Sequence, residues 1–205
     1  MKKFFSFIIL TFIIHQCFSQ SIKYGIGVGL NYTNLSSNRS IIDQFNYKPG
    51  FQINSIIEYG FSEKLGVRIE PGLADRGASE SYNSTPDSKI NINYATVPIL
   101  LNYSPFSKFS ILIGPESSIR LTKKFIHDDN PESIRAVIDR KFDLGANLGL
   151  SYNLLNNLDI SFRYNRGFIS VLNNDLKFYN EYGMEIKNTK LHNQGFSIFL
   201  SYMIK

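Results

Sequence analysis

A chain of 205 residues, 43% hydrophobic and 19% charged, is long enough for one domain and too rich in apolar residues for a disordered tail. Its formal charge of +5 is too small and too dispersed to predict a nucleic-acid interface. One cysteine, Cys17, excludes an internal disulfide and a zinc-thiolate site.

The first segment predicts a targeting signal rather than a folded element. Lys2 and Lys3 precede the apolar run Phe4 to Ile14, and Cys17-Phe18-Ser19 offers small residues three and one positions before a cleavage point. The expected division is a signal peptide over 1–19 and a single domain over 20–205. His15-Gln16 are not the small residues that lipoprotein processing favours, so ordinary cleavage near Ser19 is expected. Cleavage there would remove the only cysteine and, with Lys2 and Lys3, two positive charges. No later stretch approaches the ~18 consecutive apolar residues of a membrane helix.

Eight segments then alternate between apolar and small or polar residues, the period of a β-strand with two unlike faces. In the first, Ile22, Tyr24, Ile26, Val28, Leu30 and Tyr32 alternate with Lys23, Gly25, Gly27, Gly29 and Asn31. The second sets Phe51, Ile53, Ile57 and Tyr59 against Gln52, Asn54 and Glu58, with Ser55 interrupting the apolar face. The third, from Leu65 to Ala74, sets Leu65, Val67, Ile69, Pro71 and Leu73 against Gly66, Arg68, Glu70 and Gly72. The fourth runs from about Ile90 to Tyr103. Its apolar residues change from even positions (Ile90, Ile92, Tyr94) to odd ones (Ile99, Leu101, Tyr103), and Pro98 lies between, which predicts a β-bulge.

The fifth segment carries Phe109, Ile111, Ile113, Ile119 and Leu121 opposite Ser110, Gly114, Glu116, Ser118 and Arg120. The sixth alternates Phe142, Leu144, Ala146, Leu148, Leu150 and Tyr152 with Asp143, Gly145, Asn147, Gly149 and Ser151. The seventh sets Leu158, Ile160, Phe162, Tyr164 and Phe168 against Asp159, Ser161, Arg163 and Asn165; the eighth presents Phe196, Ile198, Leu200, Tyr202 and Ile204. Short turns are expected at Phe61–Lys64, Ser104–Lys108 and Asn153–Asn157. Longer polar connections are expected at about 36–48, 77–89, 123–139 and 172–190. Short turns on one side and long loops on the other is the plan of an outer-membrane barrel, with both chain ends on the short-turn, periplasmic side.

Alternation does not say which face is inside, because a soluble lipocalin-like barrel has the same period. Three features favour an apolar exterior. The polar face is rich in glycine, which suits an eight-stranded barrel whose interior has little spare width. Aromatics bracket the apolar runs, in the pairs Tyr24 and Tyr32, Phe51 and Tyr59, Tyr94 and Tyr103, Phe142 and Tyr152, Phe196 and Tyr202. At ~3.3 Å per residue and ~40° of tilt those spacings cover roughly 15–25 Å, near the height of an outer-membrane apolar band. Finally, Glu58, Arg68, Glu70, Glu116, Arg120, Asp143 and Arg163 all fall in the polar phase, where a lumen could pair them.

These residues resemble the PorT-like outer-membrane β-barrel family of Bacteroidota. The resemblance is carried by the glycine-rich first strand, Arg68-Ile69-Glu70-Pro71-Gly72-Leu73 followed by Arg76-Gly77, and Tyr94 through Pro98-Ile99-Leu100-Leu101. Gly114-Pro115 and Arg163-Tyr164-Asn165-Arg166-Gly167 add to it. It implies an eight-stranded barrel of OmpA or OmpX shape without a cofactor, and the family's founder is associated with type IX secretion.

Little in the sequence predicts catalysis. His127-Asp128-Asp129 and Ser133 share one polar loop and His192 begins the last strand, but nothing fixes a nucleophile beside a base. Asp128, Asp129 and Glu132 match no calcium-loop spacing. Gly25-Ile26-Gly27-Val28-Gly29 lies within a strand and so is no dinucleotide fingerprint. Tyr82, Phe125, Phe178, Tyr179 and Tyr182 lie in the long connections, where recognition residues tend to sit.

The sequence therefore predicts an all-β, eight-stranded, antiparallel up-and-down transmembrane β-barrel in a bacterial outer membrane. It is expected to be a monomer without catalytic, cofactor or metal residues, serving the envelope as a structural or interaction protein. Lipid and other envelope or secretion proteins are its expected partners, and nucleic acid is not. The alternatives are a secretion accessory and a secreted soluble barrel that binds a small apolar ligand.

Overall fold

The computed structural model describes residues 21–37, 45–80, 88–126, 138–172, 178–179, 185–186 and 190–204. The expected signal peptide, the His127-Asp128-Asp129 and Ser133 group, Glu132, Tyr82 and Tyr182 lie outside these residues, as do the side chains of Phe125, Phe178 and Tyr179. All the regular elements among the described residues are strands: β1 (Ser21–Ser37), β2 (Phe45–Asn46), β3 (Lys48–Gly60), β4 (Leu65–Ile69), β5 (Gly72–Glu80), β6 (Ser88–Phe106), β7 (Phe109–Ile126), β8 (Phe142–Leu155), β9 (Leu158–Gly167), β10 (Phe178–Tyr179), β11 (Glu185–Ile186) and β12 (Leu191–Ile204).

Every pairing is antiparallel, and β1 closes the ring by joining β3 on one side and β12 on the other. The circuit runs β1, β3, β4 with β5, β6, β7, β8, β9 and β12. Strands β4 and β5 are one wall strand. Ile57↔Ile69 and Asn54↔Gly72 share a register with β3, as Ile69↔Ile99 and Gly72↔Thr96 do with β6. The break falls at Pro71, which has no N–H to give the ladder. Glu70 N still donates to Pro98 O at 3.0 Å, and Ser55 N to Pro71 O at 2.9 Å. The ring therefore has eight strands, as the alternation predicts.

Three expectations need correction. The turns after β6 and β8 are tighter than expected, since Phe106 pairs Phe109 and Leu155 pairs Leu158. The strands reach further into the long connections, with β5 ending at Glu80, β6 beginning at Ser88 and β7 ending at Ile126. The third correction concerns β6 itself. It has no phase slip at Pro98, because even positions face inward all the way from Ile90 to Asn102. The irregularity belongs to its neighbour. Asn93 pairs Thr122 while Tyr94 pairs Arg120, which leaves Leu121 of β7 as the extra residue.

What changes along β6 is the polarity of each face. Near the short turns, Val97, Ile99, Leu101 and Tyr103 point outward and are exposed, while Thr96, Pro98, Leu100 and Asn102 point inward. Near the long loops the same outward phase carries Lys89, Asn91 and Asn93, and the inward phase carries Ile90, Ile92 and Tyr94. Tyr94, expected on the outer aromatic girdle, is therefore inside and only 1% exposed. At 19 residues, β6 is about twice the length a β-strand needs to cross a bilayer. One part of the barrel is inverted for lipid, and the other is built like a water-soluble protein.

The inward apolar residues of that second part form a core of Leu35, Ala78, Ile90, Ile92, Tyr94, Ile138, Val171, Leu172 and Leu191. Two loop segments enter the mouth to complete it. Ile138 bridges Leu172, Val171 N donates to Leu191 O at 2.8 Å, and Arg120 Nη1 and Lys123 Nζ hold Ile138 O at 2.8 and 2.7 Å. The same end is pinched from the wall. Thr33 Oγ1 reaches past β3 to donate to Gly77 O and accept from Gly77 N, both at 3.0 Å. Gly77 sits at φ +140°, and a Cβ there would lie 1.8 Å from Ile90 O, so only glycine fits the pinch.

Candidate functional site: the charged lumen

Alternation aims every second residue of each wall strand at the axis, and in the lipid-inverted part most of those residues are acids, arginines, amides, hydroxyls and glycines, with Ile56, Leu100, Leu112, Phe199 and Met203 among them. The glycines create room for one large group. A Cβ on Gly27 would lie 2.2 Å from the Phe199 ring, so the glycine face of β1 is the trough in which inward Phe199 lies. The guanidinium of Arg163 covers that ring, 4.4 Å from its centroid, which gives the charge an aromatic floor.

From that floor Arg163 grips Glu70 with two bonds, Nη1 to Oε2 at 2.5 Å and Nη2 to Oε1 at 3.0 Å, while its Nε donates to Ser161 Oγ at 3.0 Å. Glu70 is wholly enclosed, at 0% exposure. Toward the short turns, Arg68 donates to Glu58 at 2.7 Å and approaches Asp159 at 3.5 Å and Glu70 at 3.8 Å. Toward the long loops, Arg76 pairs with Glu116 at 2.6 Å, and Asn147 and Ser118 also donate to that carboxylate, at 2.9 and 3.1 Å. Asn165 ties this layer together by donating to both Glu116 and Asn147 at 3.3 Å and accepting from Arg76 at 3.2 Å. The space remaining at this level is only about 20 Å³. A cavity of about 10–15 Å³ already holds one water, so there is room here for about one water molecule and no open channel.

The seven charged residues singled out from sequence thus divide into two groups. Glu58, Arg68, Glu70, Glu116 and Arg163 join the axial layers. Arg120 and Asp143 sit at the edge of the outer core and do not pair with each other. Arg120 holds the carbonyls of Ile138 and Asp139, whereas Asp143 accepts from Asn193 Nδ2 at 2.8 Å and from Ile169 N at 3.4 Å. Asn193 also donates to the Tyr94 hydroxyl at 3.0 Å, so one buried amide joins the misassigned tyrosine to the unpaired acid.

Arg76 and Asp159 were missed as site residues. Arg76 fell beyond the expected end of the third strand, although continued alternation from Arg68 and Glu70 through Ala74 would have aimed it inward. Asp159 was placed in the polar phase but not connected to Arg68, because that contact joins residues 91 positions apart.

Outside, Tyr24, Tyr32, Phe51, Tyr103, Phe142, Phe196 and Tyr202 are exposed, while Tyr59 and Tyr152 are half-buried against Phe61 and Phe109, at 5.1 and 4.8 Å. At the other rim, Tyr47 stacks on Tyr32 at 4.9 Å, and Phe196 packs beside Tyr164 at 5.1 Å and Phe162 at 5.7 Å. The short-turn end opens as a vestibule of about 510 Å³ lined by residues of both signs, including Lys23, Glu58, Lys64 and Asp159. Among the described residues, no group of histidine, cysteine, aspartate and glutamate is arranged to hold a metal ion.

A closed antiparallel ring with exposed leucine, isoleucine and phenylalanine around it, and hydrogen-bonded ion pairs along its axis, is a transmembrane β-barrel. The chain belongs to the outer membrane protein beta-barrel domain family, whose profile matches residues 18–173. Its backbone is similar to that of Neisserial surface protein A, with a TM-score of 0.54 and 14% identity over 89% of this chain and 98% of that one. It is also similar to Ail, the attachment invasion locus protein of Yersinia pestis, in complex with the heparin analogue sucrose octasulfate. That match has a TM-score of 0.50 and 16% identity, over 90% of this chain and 99% of that one. At such identities the likeness concerns the fold alone. No curated protein matches the chain in sequence.

Proposed function

We propose that this protein is a non-enzymatic structural and interaction component of the outer membrane. In this reading it is exported through a cleaved signal peptide, and its lumen is a sealed strut, not a conduit. The observation that carries the reading is the wholly enclosed Glu70, gripped twice across the bore by Arg163. A transport path needs mobile water or a displaceable group on the axis. Here each axial charge is held by several partners from different strands, and the outer mouth is closed by an apolar core.

In this orientation the short turns face the periplasm and the long loops face outward. The axial charge layers serve rigidity, and the exposed aromatics Tyr24, Tyr32, Phe51, Tyr103, Phe142, Phe196 and Tyr202 serve as interfacial anchors. A rigid barrel that presents loops is suited to recognition by those loops. The resemblance to the PorT-like family supports a narrower version, in which the recognised partner belongs to a protein-secretion assembly.

Planar-bilayer recording on the refolded protein tests the sealed lumen. The expected result is no ion conductance from the wild type and measurable conductance from Arg163→Ala with Glu70→Ala. Steady wild-type conductance would overturn the reading.

A further inference from the structure

The outward face of the barrel carries a feature that neither the lumen nor the family accounts for. On β5, β6 and β7 the apolar exterior ends in a polar row, because Asp75 pairs Asn93 and Asn93 pairs Thr122 across adjacent strands. Asn93 Nδ2 donates to Thr122 Oγ1 at 2.8 Å on the exposed surface. The Leu121 bulge makes this row possible. By adding one residue, it lets Leu121 and Thr122 both face outward, one apolar and one polar, at the edge of the band.

Beside that row lies a mainly apolar groove of about 550 Å³, lined by Val28, Phe51, Ile53, Leu73 and Leu121 and bordered by Asp75, Asn93 and Thr122. Its volume is that of a ligand site. On the other side of the row, further from the membrane, stand Lys89 and Lys124, both outward and exposed. The pairings Asn91↔Lys124 and Lys89↔Ile126 make the two lysines diagonal neighbours, whose Cβ atoms are roughly 7–8 Å apart. Among the described residues neither takes part in an ion pair. The nearby carboxylate of Asp75 is already neutralised, because Lys48 Nζ donates to both its oxygens at 2.9 Å.

Going outward, the order is hydrocarbon groove, neutral hydrogen-bonding row, then two positive charges. This is the complement of an anionic amphiphile standing upright in the leaflet on the long-loop side. We propose that this face holds a phosphate-bearing membrane lipid, with an acyl chain in the groove beside Leu73 and Leu121 and the phosphate against Lys89 and Lys124. Asn93 and Thr122 lie at the level of the ester and hydroxyl groups that join the two. The inference rests on the transmembrane reading of the barrel and adds to it a specific annular site with a headgroup preference.

The test uses the full mature protein refolded into vesicles containing equal amounts of phosphatidylglycerol and phosphatidylcholine. After gentle detergent release, native mass spectrometry counts the retained lipids. The expected result is that phosphatidylglycerol is retained over phosphatidylcholine, on the order of tenfold, the scale set by two lysines near an anionic headgroup. The preference is expected to disappear in Lys89→Gln with Lys124→Gln, and total retained lipid to fall in Leu73→Trp, which fills the groove. Equal retention of the two lipids by the wild type, or a preference that survives both lysine substitutions, overturns the proposal. Every variant is first checked for a heat-modifiable shift on gels. Loss of that shift from the wild type would instead count against the transmembrane barrel itself, so the two failures are distinguishable.

Discussion

The two ends of the same strands obey opposite rules. Between the short turns and about Ala95, β6 shows hydrocarbon outward and a mixed face of Thr96, Pro98, Leu100 and Asn102 inward; from Tyr94 to Lys89 it shows lysine and asparagine outward and isoleucine inward. Backbone pairing with β5 continues in one register through the change, and the register shift with β7 at Leu121 leaves the inward phase of β6 as it was. The surrounding solvent decides. Acyl chains accept isoleucine and reject charge, and water does the reverse. A barrel that outgrows its membrane must therefore exchange the roles of its faces, and the level of the exchange marks the membrane boundary in the sequence.

That contrast can be broken most forcefully in the lumen. Arg163→Met leaves Glu70 enclosed without its partner, and breaking a buried pair this way costs roughly 3–5 kcal/mol. Urea unfolding of the barrel in vesicles should register this loss, and Glu70→Leu added to Arg163→Met should restore most of it. A double variant as unstable as the single one would show that Glu70 is not the group left stranded.

In the outer part the equivalent damage is a cavity. Ile92→Ala removes a side chain from the apolar plug and is expected to cost about 2–5 kcal/mol in the same assay. No loss of stability there would mean that the mouth is not packed as a core.

Arginine on the outward face sharpens the boundary itself. Ile99→Arg meets hydrocarbon and should cost about 2–4 kcal/mol, while Asn91→Arg on the same face of the same strand should cost about 0–1 kcal/mol. Equal costs at the two positions would remove the boundary from between them. The smallest effect concerns Tyr94→Phe, which takes one acceptor from Asn193 and should cost about 1 kcal/mol, since Asn193 keeps its bond to Asp143.

Much of this was legible in the sequence because a period of two survives every tertiary detail. Strand number, closure order, the inward phase of Glu58, Arg68, Glu70, Glu116 and Arg163, and the outward phase of most aromatics all follow from alternation. What misled was the assumption of one solvent along each strand. On that assumption Ile90, Ile92 and Tyr94 had to face the same way as Ile99 and Tyr103, and a bulge had to be placed at Pro98 to allow it. The residues were already in phase, and Lys89, Asn91 and Asn93 between them carried the signal of a second, aqueous environment. Partner identities were not legible. Alternation aims Arg68 and Asp159, or Tyr94 and Asn193, at one axis, but which of them meet depends on the stagger of the closed ring. Phe199 stayed hidden for a similar reason, because only its contact with Gly27 explains an aromatic on the small-residue face.

The most direct measurement places a nitroxide at each residue from 89 to 103 in turn, in a chain whose only cysteine is Cys17, and compares its accessibility to oxygen and to a water-soluble nickel complex in bilayers. Positions 97, 99, 101 and 103 should favour oxygen, positions 89 and 91 should favour nickel, and even positions should be shielded from both. Oxygen preference at the even positions, or odd positions that all behave alike from one end to the other, would contradict a barrel that turns its faces over at the membrane surface.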